Sequence, residues 1–413
     1  MAAELPGELV ADLFRRESGR LVAALTRVLG PAHLALAEDV VQDALVSAMQ
    51  AWRFGLPRDP VAWILQVARN RAIDLLRRDR RLAALRPALE SEREMAAALA
   101  PDADPANQLA MMFSICDEAL AMETHVTLIL RLLCGLSAAE IARAFLVDTQ
   151  TIDRRLHRGR ARLQELGRLA DVSAADEARA RRPSVLRALY LLFNEGYHGS
   201  DARHPLHPAM CADALRLVEL MLASPATGGP DGHALAALFC LSSARLPTRL
   251  DNDGAFVPLV EQDRARWDRA LIERGVLHLS QAATGDELTR WHLEAGIACE
   301  HTLAPSVAET DWRRIVDLYD ALLAQAPGPI VAMNRAVAIA ELRGLDAGRE
   351  ALRALEGDEK LSRYTFYFAA RADIERRAGK RAEARRLYER ALDLARSRAE
   401  RLVFQKKIAE LEK

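Results

Sequence analysis

Ala, Leu, Arg and Glu recur at helical spacing along nearly the whole chain, whereas runs of alternating Val, Ile, Thr and aromatic residues are missing. Apolar side chains that return every three or four residues form one face of an α-helix, while a half-buried strand needs an alternating pattern. The spacing therefore predicts an all-α fold. With 413 residues, the chain is long enough for two or three domains.

Two stretches interrupt the helical spacing. Residues 83–108 carry three prolines and five acidic residues against two arginines, a net charge of −3, and residues 171–183 form a shorter polar break. Segments of this kind join domains because few contacts cross them. The sequence therefore predicts five parts: a helical module at 1–82, a linker at 83–109, a second module at 110–170, a short linker at 171–183 and a helical C-terminal domain at 184–413.

Charge is balanced over the whole chain, with 57 Lys and Arg against 58 Asp and Glu. A nucleic-acid surface would therefore need local segregation of charge. The five cysteines are far apart, with no CxxC pair and no His at ligand spacing, so we expect no metal site, no redox dithiol and no cofactor. Arg131 interrupts the apolar stretch 126–136, and we expect a cytoplasmic protein without membrane contact.

The segment 31–52 predicts an amphipathic helix with an acidic outer face. At helical spacing its apolar residues gather on one stripe and its acidic and amide residues on the other. The inner stripe holds Leu34, Val41, Leu45, Ala48 and Trp52, and the outer face holds Asp39, Gln42, Asp43 and Gln50. A solvated helix face explains this pattern, and so does a docking surface for a basic partner.

The segment 60–81 begins the most basic part of the chain. From Gln66 to Arg86, seven arginines stand against two aspartates, a local excess of +5. The inward side is predicted to hold Ile64, Ala68 and Leu75, and the outward row Gln66, Asn70 and Arg77 beside Trp63. Melted DNA needs cations for its phosphates, a flat ring for stacking and amides for base edges. A basic helix alone is weak evidence for nucleic-acid binding.

The segment 136–166 carries the most specific pattern. Ser137 is followed three residues later by Glu140, a capping box that starts a helix, and a turn near Leu146 leads to a second helix capped by Asp148 or Thr149. That helix is predicted to bury Ile152, Leu156, Gly159 and Leu163 and to expose Gln150, Thr151, Arg154, His157 and Arg158, flanked by Arg155 and Arg160. This is the layout of a helix-turn-helix that enters a major groove, and an ordinary αα-hairpin is the alternative.

Taken in this order, the three segments resemble the extracytoplasmic-function sigma factors of bacterial RNA polymerase. Residues 9–82 are similar to region 2 of that family, where AEDVVQDAL resembles the core-binding motif, and residues 110–167 are similar to region 4. The resemblance implies a factor that directs core polymerase to promoters and contacts the clamp of the largest core subunit and the flap. It implies core binding for Asp39, Gln42 and Asp43.

The resemblance also implies two contacts with promoter DNA. The helix WILQVARNRAIDLLRR resembles the one that opens and reads the minus-ten element, and this implies that role for Trp63, Gln66, Arg69, Asn70, Arg71, Arg77 and Arg78. The helix-turn-helix would read the minus-thirty-five element through Ser137, Gln150, Thr151, Arg154, Arg155, His157, Arg158 and Arg160.

The C-terminal part is similar to that of a subgroup with a long helical extension and tetratricopeptide-like repeats. Tyr319, Arg353 and Tyr388 are 34 and 35 residues apart, the period of such repeats, and this predicts two or three of them near 310–396. The chain contains no nucleophile elbow, phosphate-binding glycine loop or HExxH motif, so we predict no catalytic residue and no enzyme. We expect this domain to regulate the sigma modules in cis, with a regulatory protein or ligand as its partner.

Two groups of residues in the extension are candidates for lining a ligand pocket: Asn194, Glu195, Tyr197 and His198, or Trp267, Asp268 and Arg269. A helix end and a core anchor explain the same residues and are the favoured interpretation. For the whole chain, the alternative class is a free-standing helix-turn-helix regulator or a repeat scaffold that never joins polymerase. The acidic helix separates the two classes, since a scaffold would need Asp39 and Asp43 only for solubility.

Overall fold

The structure, a computed structural model, describes residues 6–78, 106–166, 175–199 and 205–412. Within these ranges the chain has 18 α-helices and no strand, and its β-type pairing is an isolated bridge between Leu250 and Phe256. The all-α prediction is confirmed. Contacts between residues divide the chain into two compact units, residues 1–192 with 223–227, and residues 193–222 with 228–413.

The first unit holds three helices before residue 79 and five after residue 105. They are α1 (Pro6–Leu29), α2 (Leu34–Ala51), α3 (Pro60–Arg78), α4 (Ala106–Ser114), α5 (Met122–Leu128), α6 (Ala138–Phe145), α7 (Thr149–Glu165) and α8 (Ala175–Tyr197), whose last five residues belong to the second unit. A π-helical turn, Ile129–Leu133, continues α5. We call residues 6–78 the first module and residues 106–166 the second module.

The first module is a bundle in which α2 packs against α1 and α3. Its core contains Leu21, Leu25, Val40 and Ile64, each at most 1 % exposed, because these residues recur on the inner stripes of their helices. Burying a side chain of this kind stabilises the fold by about 1.5–3 kcal/mol. Asp59 starts α3, since its Oδ1 accepts a hydrogen bond from the Ala62 amide at 2.9 Å.

The short linker predicted at 171–183 is wrong from Ala175 onward, because α8 runs through this stretch. Ala, Glu and Arg are strong helix formers, and they outnumber the residues that disfavour a helix here. Pro183 lies inside the helix and removes one backbone donor, but Ala178 and Val185 on either side are fully buried. Of the longer linker predicted at 83–109, residues 106–109 belong to α4 and the rest lies outside the described residues.

In its described residues, the second unit continues as ten helices, with a longer connection at 244–268 that contains three 3-10 turns. They are α9 (Pro208–Leu222), α10 (Pro230–Ser243), α11 (Arg269–Ala282), α12 (Arg290–Leu303), α13 (Trp312–Gln325), α14 (Pro329–Arg343), α15 (Leu345–Arg353), α16 (Thr365–Arg377), α17 (Arg381–Leu394) and α18 (Arg398–Leu411). Consecutive helices pack against each other, which is the arrangement of a helical repeat array.

Three helix pairs at the end of this unit begin at intervals close to the predicted 34 and 35 residues. The pairs α13–α14, α15–α16 and α17–α18 begin at residues 312, 345 and 381. Tyr319 and Tyr388 occupy the same place, the eighth residue of a 14-residue helix, and Tyr388 is buried between Ala384 and Ala391. Arg353 instead ends the short α15, so the middle unit departs from its neighbours.

Candidate nucleic-acid interface

The helix-turn-helix begins with the predicted capping box. The Glu140 amide donates to Ser137 Oγ at 3.2 Å, and Glu140 Oε2 accepts from the Ser137 amide at 2.7 Å. Burial alone would raise the pKa of Glu140, but the hydrogen bonds from Ser137 and the Arg15 guanidinium outweigh it and hold the pKa below its ordinary value. Ser137 is a predicted DNA contact, but its hydroxyl is hydrogen-bonded within the helix cap, where it also donates to Glu140.

The turn between the two helices fixes where α7 starts. Leu146 ends α6 in the left-handed region, with φ 55°, a conformation that costs energy for any residue with a Cβ. Asp148 then caps α7, because its Oδ1 accepts from the Thr151 amide at 2.6 Å. This settles the choice between Asp148 and Thr149 as the cap.

The two faces of α7 match the predicted periodicity. Its inner stripe, formed by Ile152, Leu156, Gly159 and Leu163, is buried. Its outer face exposes Gln150, Arg154, His157 and Arg158, while Thr151 is half-buried. Gly159 is needed at its position, because a Cβ there would lie 2.7–2.9 Å from the buried side chain of Leu128 in α5. The helix-turn-helix prediction is confirmed.

The four arginines predicted as DNA contacts on α7 divide into two groups. Arg154 is ordered on the outer face, since Nη2 donates to Thr151 Oγ1 at 3.2 Å, and Arg158 is exposed beside it. Arg155 is half-buried over the Phe145 ring, 4.9 Å from its centre, and Arg160 pairs with an acid of α2. The structure therefore leaves two of the four on the face that could enter a groove.

The acidic face of α2 is exposed as predicted. Asp39, Gln42, Asp43 and Gln50 point away from the core of the first module, and Asp43 accepts a hydrogen bond from Arg71 Nε of α3 at 2.9 Å. The side chains of this pair are 51 % and 44 % exposed, so the pair contributes little to stability. Both remain accessible to a partner.

On α3, the outward row holds Gln66 and Asn70, whose side chains are joined by a 2.8 Å hydrogen bond. Trp63 does not stand free for stacking: it is half-buried and packs edge-on against Trp52, with ring centres 5.6 Å apart. Arg69 is half-buried as well. The side chains of Arg77 and Arg78 lie outside the described residues.

The two modules contact each other directly, which the sequence did not indicate. Arg15 of α1 pairs with Glu140 at 3.0 Å, and Arg160 of α7 pairs with Glu38 of α2 at 2.7 Å. Between these pairs, α1 approaches the π-helical turn so closely at Gly19 that a Cβ would collide with the Leu133 carbonyl. A glycine inside a helix was the only sequence signal for this contact.

The buried side chain of His125 links the second module to α8, beside an ion pair between Arg162 and Asp117. Arg162 Nε donates to Asp117 Oδ1 at 2.8 Å, and this hydrogen bond is the main reason that the pKa of Asp117 is below its ordinary value. His125 Nε2 donates to the Asp117 carbonyl at 2.7 Å, and its Nδ1 lies 3.0 Å from Ser184 Oγ of α8. Burial lowers the pKa of His125, which favours this neutral form.

In the second unit, the structural interpretation of Trp267 and Asp268 is confirmed. Trp267 is 3 % exposed and donates to Thr248 Oγ1 at 3.0 Å, and Asp268 caps α11 by accepting from the Leu271 amide at 3.1 Å. Arg269 is exposed, and Asn194 and Glu195 are half-buried near the end of α8. Tyr197 is buried beside two arginines, Arg245 and Arg249, which no sequence pattern connects with it.

Neither a metal cluster nor a bilayer-spanning helix occurs in the parts of the chain that the structure describes. No three His, Cys, Asp or Glu residues there are grouped as metal ligands, and the five cysteines are free. None of the described helices has the length and apolar character needed to cross a membrane.

Three family matches cover separate parts of the chain. Residues 13–82 match Sigma-70 region 2, residues 118–163 match Sigma-70, region 4, and residues 181–283 match a family of unknown function, DUF6596. A curated relative, an uncharacterized protein of Rhizobium meliloti (strain 1021), is 35% identical over 376 residues, which cover 89% of this chain and 88% of the relative. No solved structure matches the chain.

The helical first module, the helix-turn-helix and the two sigma-70 matches together define a sigma factor of RNA polymerase. Within that class, the chain belongs to the extracytoplasmic-function-like sigma factors with a long C-terminal extension. It therefore acts with core polymerase and promoter DNA in the initiation of transcription.

Proposed function

We propose that the exposed face of α2 docks on the clamp of the largest core subunit, through Asp39, Gln42 and Asp43. This proposal is supported by their exposure, because the core of the first module makes no use of them. Carboxylates on an exposed face steer a basic partner and add specificity at the rim of an interface. The pair between Asp43 and Arg71 is weak enough to be exchanged for a contact with polymerase.

The promoter is read in two places. Gln66, Asn70 and the arginines of α3 contact melted minus-ten bases, and Gln150, Arg154, His157 and Arg158 of α7 enter the minus-thirty-five groove. The observation that carries this proposal is the outer face of α7, where four polar side chains are exposed opposite a fully buried stripe. Arg154 is already ordered by Thr151, so less side-chain freedom is lost when it binds.

The arrangement in which the two modules contact each other is a closed state, and the modules must separate when the protein binds the promoter. The two elements are about 25 base pairs apart, or about 85 Å at about 3.4 Å per base pair. Modules joined by 2.7 Å and 3.0 Å ion pairs cannot reach both elements at once. The 27 residues 79–105 could span about 90 Å if fully extended, which is enough for separated modules. Two weak contacts joined by one tether then select the promoter together.

The extension regulates the sigma modules in cis, and the protein is a cytoplasmic regulator rather than an enzyme. Helical repeats present extended binding surfaces, and the three helix pairs at the end of the second unit have this form. Proteins of the sigma factor families are generally not enzymes, which supports the same conclusion.

Binding of core polymerase to the full-length chain tests the α2 contact. We expect the double substitution Asp39→Arg, Asp43→Arg to weaken core binding by at least about tenfold, since charge reversal in an interface costs several kcal/mol. The matched control is Asp286→Arg, Glu287→Arg, which makes the same charge change at two exposed residues of the second unit. Equal binding by both variants would refute this role for α2.

A further inference from the structure

Two arginines of the second unit lie beside one buried tyrosine and have no acidic partner among the residues that the structure describes. Arg245 donates to Tyr197 Oη at 2.5 Å, and Arg249 donates to the Tyr197 carbonyl oxygen at 3.2 Å. Their guanidinium groups lie 5.8 Å and 4.3 Å from the centre of the Tyr197 ring. Both arginines are half-buried, and within the described residues neither forms an ion pair with a carboxylate.

A third guanidinium adds to the positive charge at this place. Arg264 donates to the carbonyl oxygens of His301 at 2.5 Å and Ala304 at 2.7 Å, at the C-terminal end of α12. Burial lowers the pKa of His301 to about 4, and the charges of Arg245 and Arg264 act in the same direction. Arg264 is satisfied by two carbonyls at the end of α12, and Arg249 has one, the Tyr197 carbonyl at the end of α8, whereas the partner of Arg245 is the Tyr197 hydroxyl.

Without an acid from the described part of the chain, two neighbouring guanidinium charges are costly to hold in this half-buried place. The Nε atoms of Arg245 and Arg249 are buried without a hydrogen-bond partner. Burial lowers the pKa of Arg249, and repulsion from Arg245 adds to this, while Tyr197 offsets only part of it. Burial by itself would raise the pKa of Tyr197, but the two guanidinium charges hold it below its ordinary value. Cations that are partly removed from water and lack hydrogen-bond partners are commonly paired with an anion.

We infer that Arg245 and Arg249 form a binding site for a small anion that carries a phosphate or carboxylate group. A guanidinium presents two parallel N–H donors that match either group. The hydrogen bonds of Arg245 and Arg249 to Tyr197 hold the two guanidinium groups in place. The site lies in the stretch that matches the family of unknown function, outside both sigma-70 regions. The inference concerns the extension alone and does not depend on the roles proposed for the sigma modules.

Isothermal titration of the full-length chain tests the site, with inorganic phosphate and acetate in separate arms at constant ionic strength. Arg249→Lys keeps the positive charge but loses the pair of parallel N–H donors. We therefore expect the variant to fold and to bind the anion at least about tenfold more weakly. Arg363→Lys is the matched control, because Arg363 is an exposed arginine of the same unit.

Saturable binding of one anion per chain, weakened by Arg249→Lys and unchanged by Arg363→Lys, supports the site. The arm with the tighter binding then identifies the ligand as a phosphate or a carboxylate compound. Equal binding by the wild-type chain and Arg249→Lys means an adventitious ion only and overturns the inference. No binding by the wild-type chain also overturns it.

Discussion

Arg160 of α7 donates a hydrogen bond to Glu38 of α2 across 2.7 Å. The helix proposed to read the minus-thirty-five element is thereby joined to the helix proposed to bind polymerase. Together with the pair between Arg15 and Glu140, this contact keeps the two modules in a closed state. The pairs are partly exposed, so each contributes about 1 kcal/mol or less, and small changes should open the contact.

We expect the double substitution Gly19→Ala, Glu38→Arg to separate the modules. The alanine Cβ would collide with the Leu133 carbonyl, and the new arginine would repel Arg160. Small-angle X-ray scattering should show a larger radius of gyration than for the wild-type chain. Gly296→Ala is the control, because its Cβ would meet only Leu318 at 3.3–3.5 Å. The same scattering curve for wild type and the double variant would contradict the closed state.

Arg158→Ala should weaken recognition of the minus-thirty-five element. Arg158 is exposed on the outer face of α7, so its loss removes a DNA contact without disturbing the core. Loss of a base contact costs about 1–3 kcal/mol of binding free energy. Loss of a phosphate contact lowers the slope of log K against log salt concentration by about one. Promoter binding by the assembled polymerase at several salt concentrations distinguishes the two. Promoter binding identical to that of the control Arg363→Ala would remove Arg158 from the interface.

Gly159→Ala should destabilise the helix-turn-helix. The added methyl group would lie 2.7 Å from Leu128 Cδ1 and 2.9 Å from Leu128 Cγ, and Leu128 is fully buried, so the whole side chain would have to shift within the core. Overpacking of this kind costs about 1–3 kcal/mol, while the gain in helix propensity returns about 1 kcal/mol. Thermal unfolding should therefore begin at a lower temperature than in the control Gly296→Ala. Unfolding at an unchanged or higher temperature would show that α5 and α7 do not pack this closely.

A fall in pH should destabilise helix α6, because Glu140 in its first turn becomes protonated. The pKa of Glu140 in the folded chain is below its ordinary value of 4.5, so the ionised form stabilises the fold at neutral pH. This stabilisation is lost as the pH falls from 4.5 through the lower folded value. Hydrogen exchange at the α6 amides should show this loss in the wild-type chain and less of it in Glu140→Gln. Glu165→Gln, at an exposed residue of α7, is the control and should behave like wild type.

The helix-turn-helix was predictable because its information is local. A period of 3.6 residues decides which side of α7 is buried, and residues three apart decide the cap at Ser137 and Glu140. The start of α8 was mistaken for a linker because Pro183 and nearby charges resemble a break, while the burial of Ala178 depends on tertiary packing.

The contacts that the sequence could not give join residues that are far apart in the chain. Arg15 and Glu140 are 125 positions apart, and Tyr197 and Arg245 are 48 apart. No periodicity connects such residues, so their pairing follows only from how the helices pack. Trp63 is a further example. Its ring suits stacking on a base, but in the structure it packs in a T-shaped arrangement against the ring of Trp52.

Run-off transcription on a pool of promoter fragments tests whether this chain is a sigma factor whose two modules select promoters together. Purified core polymerase would be used with and without the full-length protein. For a sigma factor, we expect start sites that appear only when the protein is added and that share two sequence elements upstream. Absence of new start sites, with both the wild-type chain and the opened variant Gly19→Ala, Glu38→Arg, would contradict it.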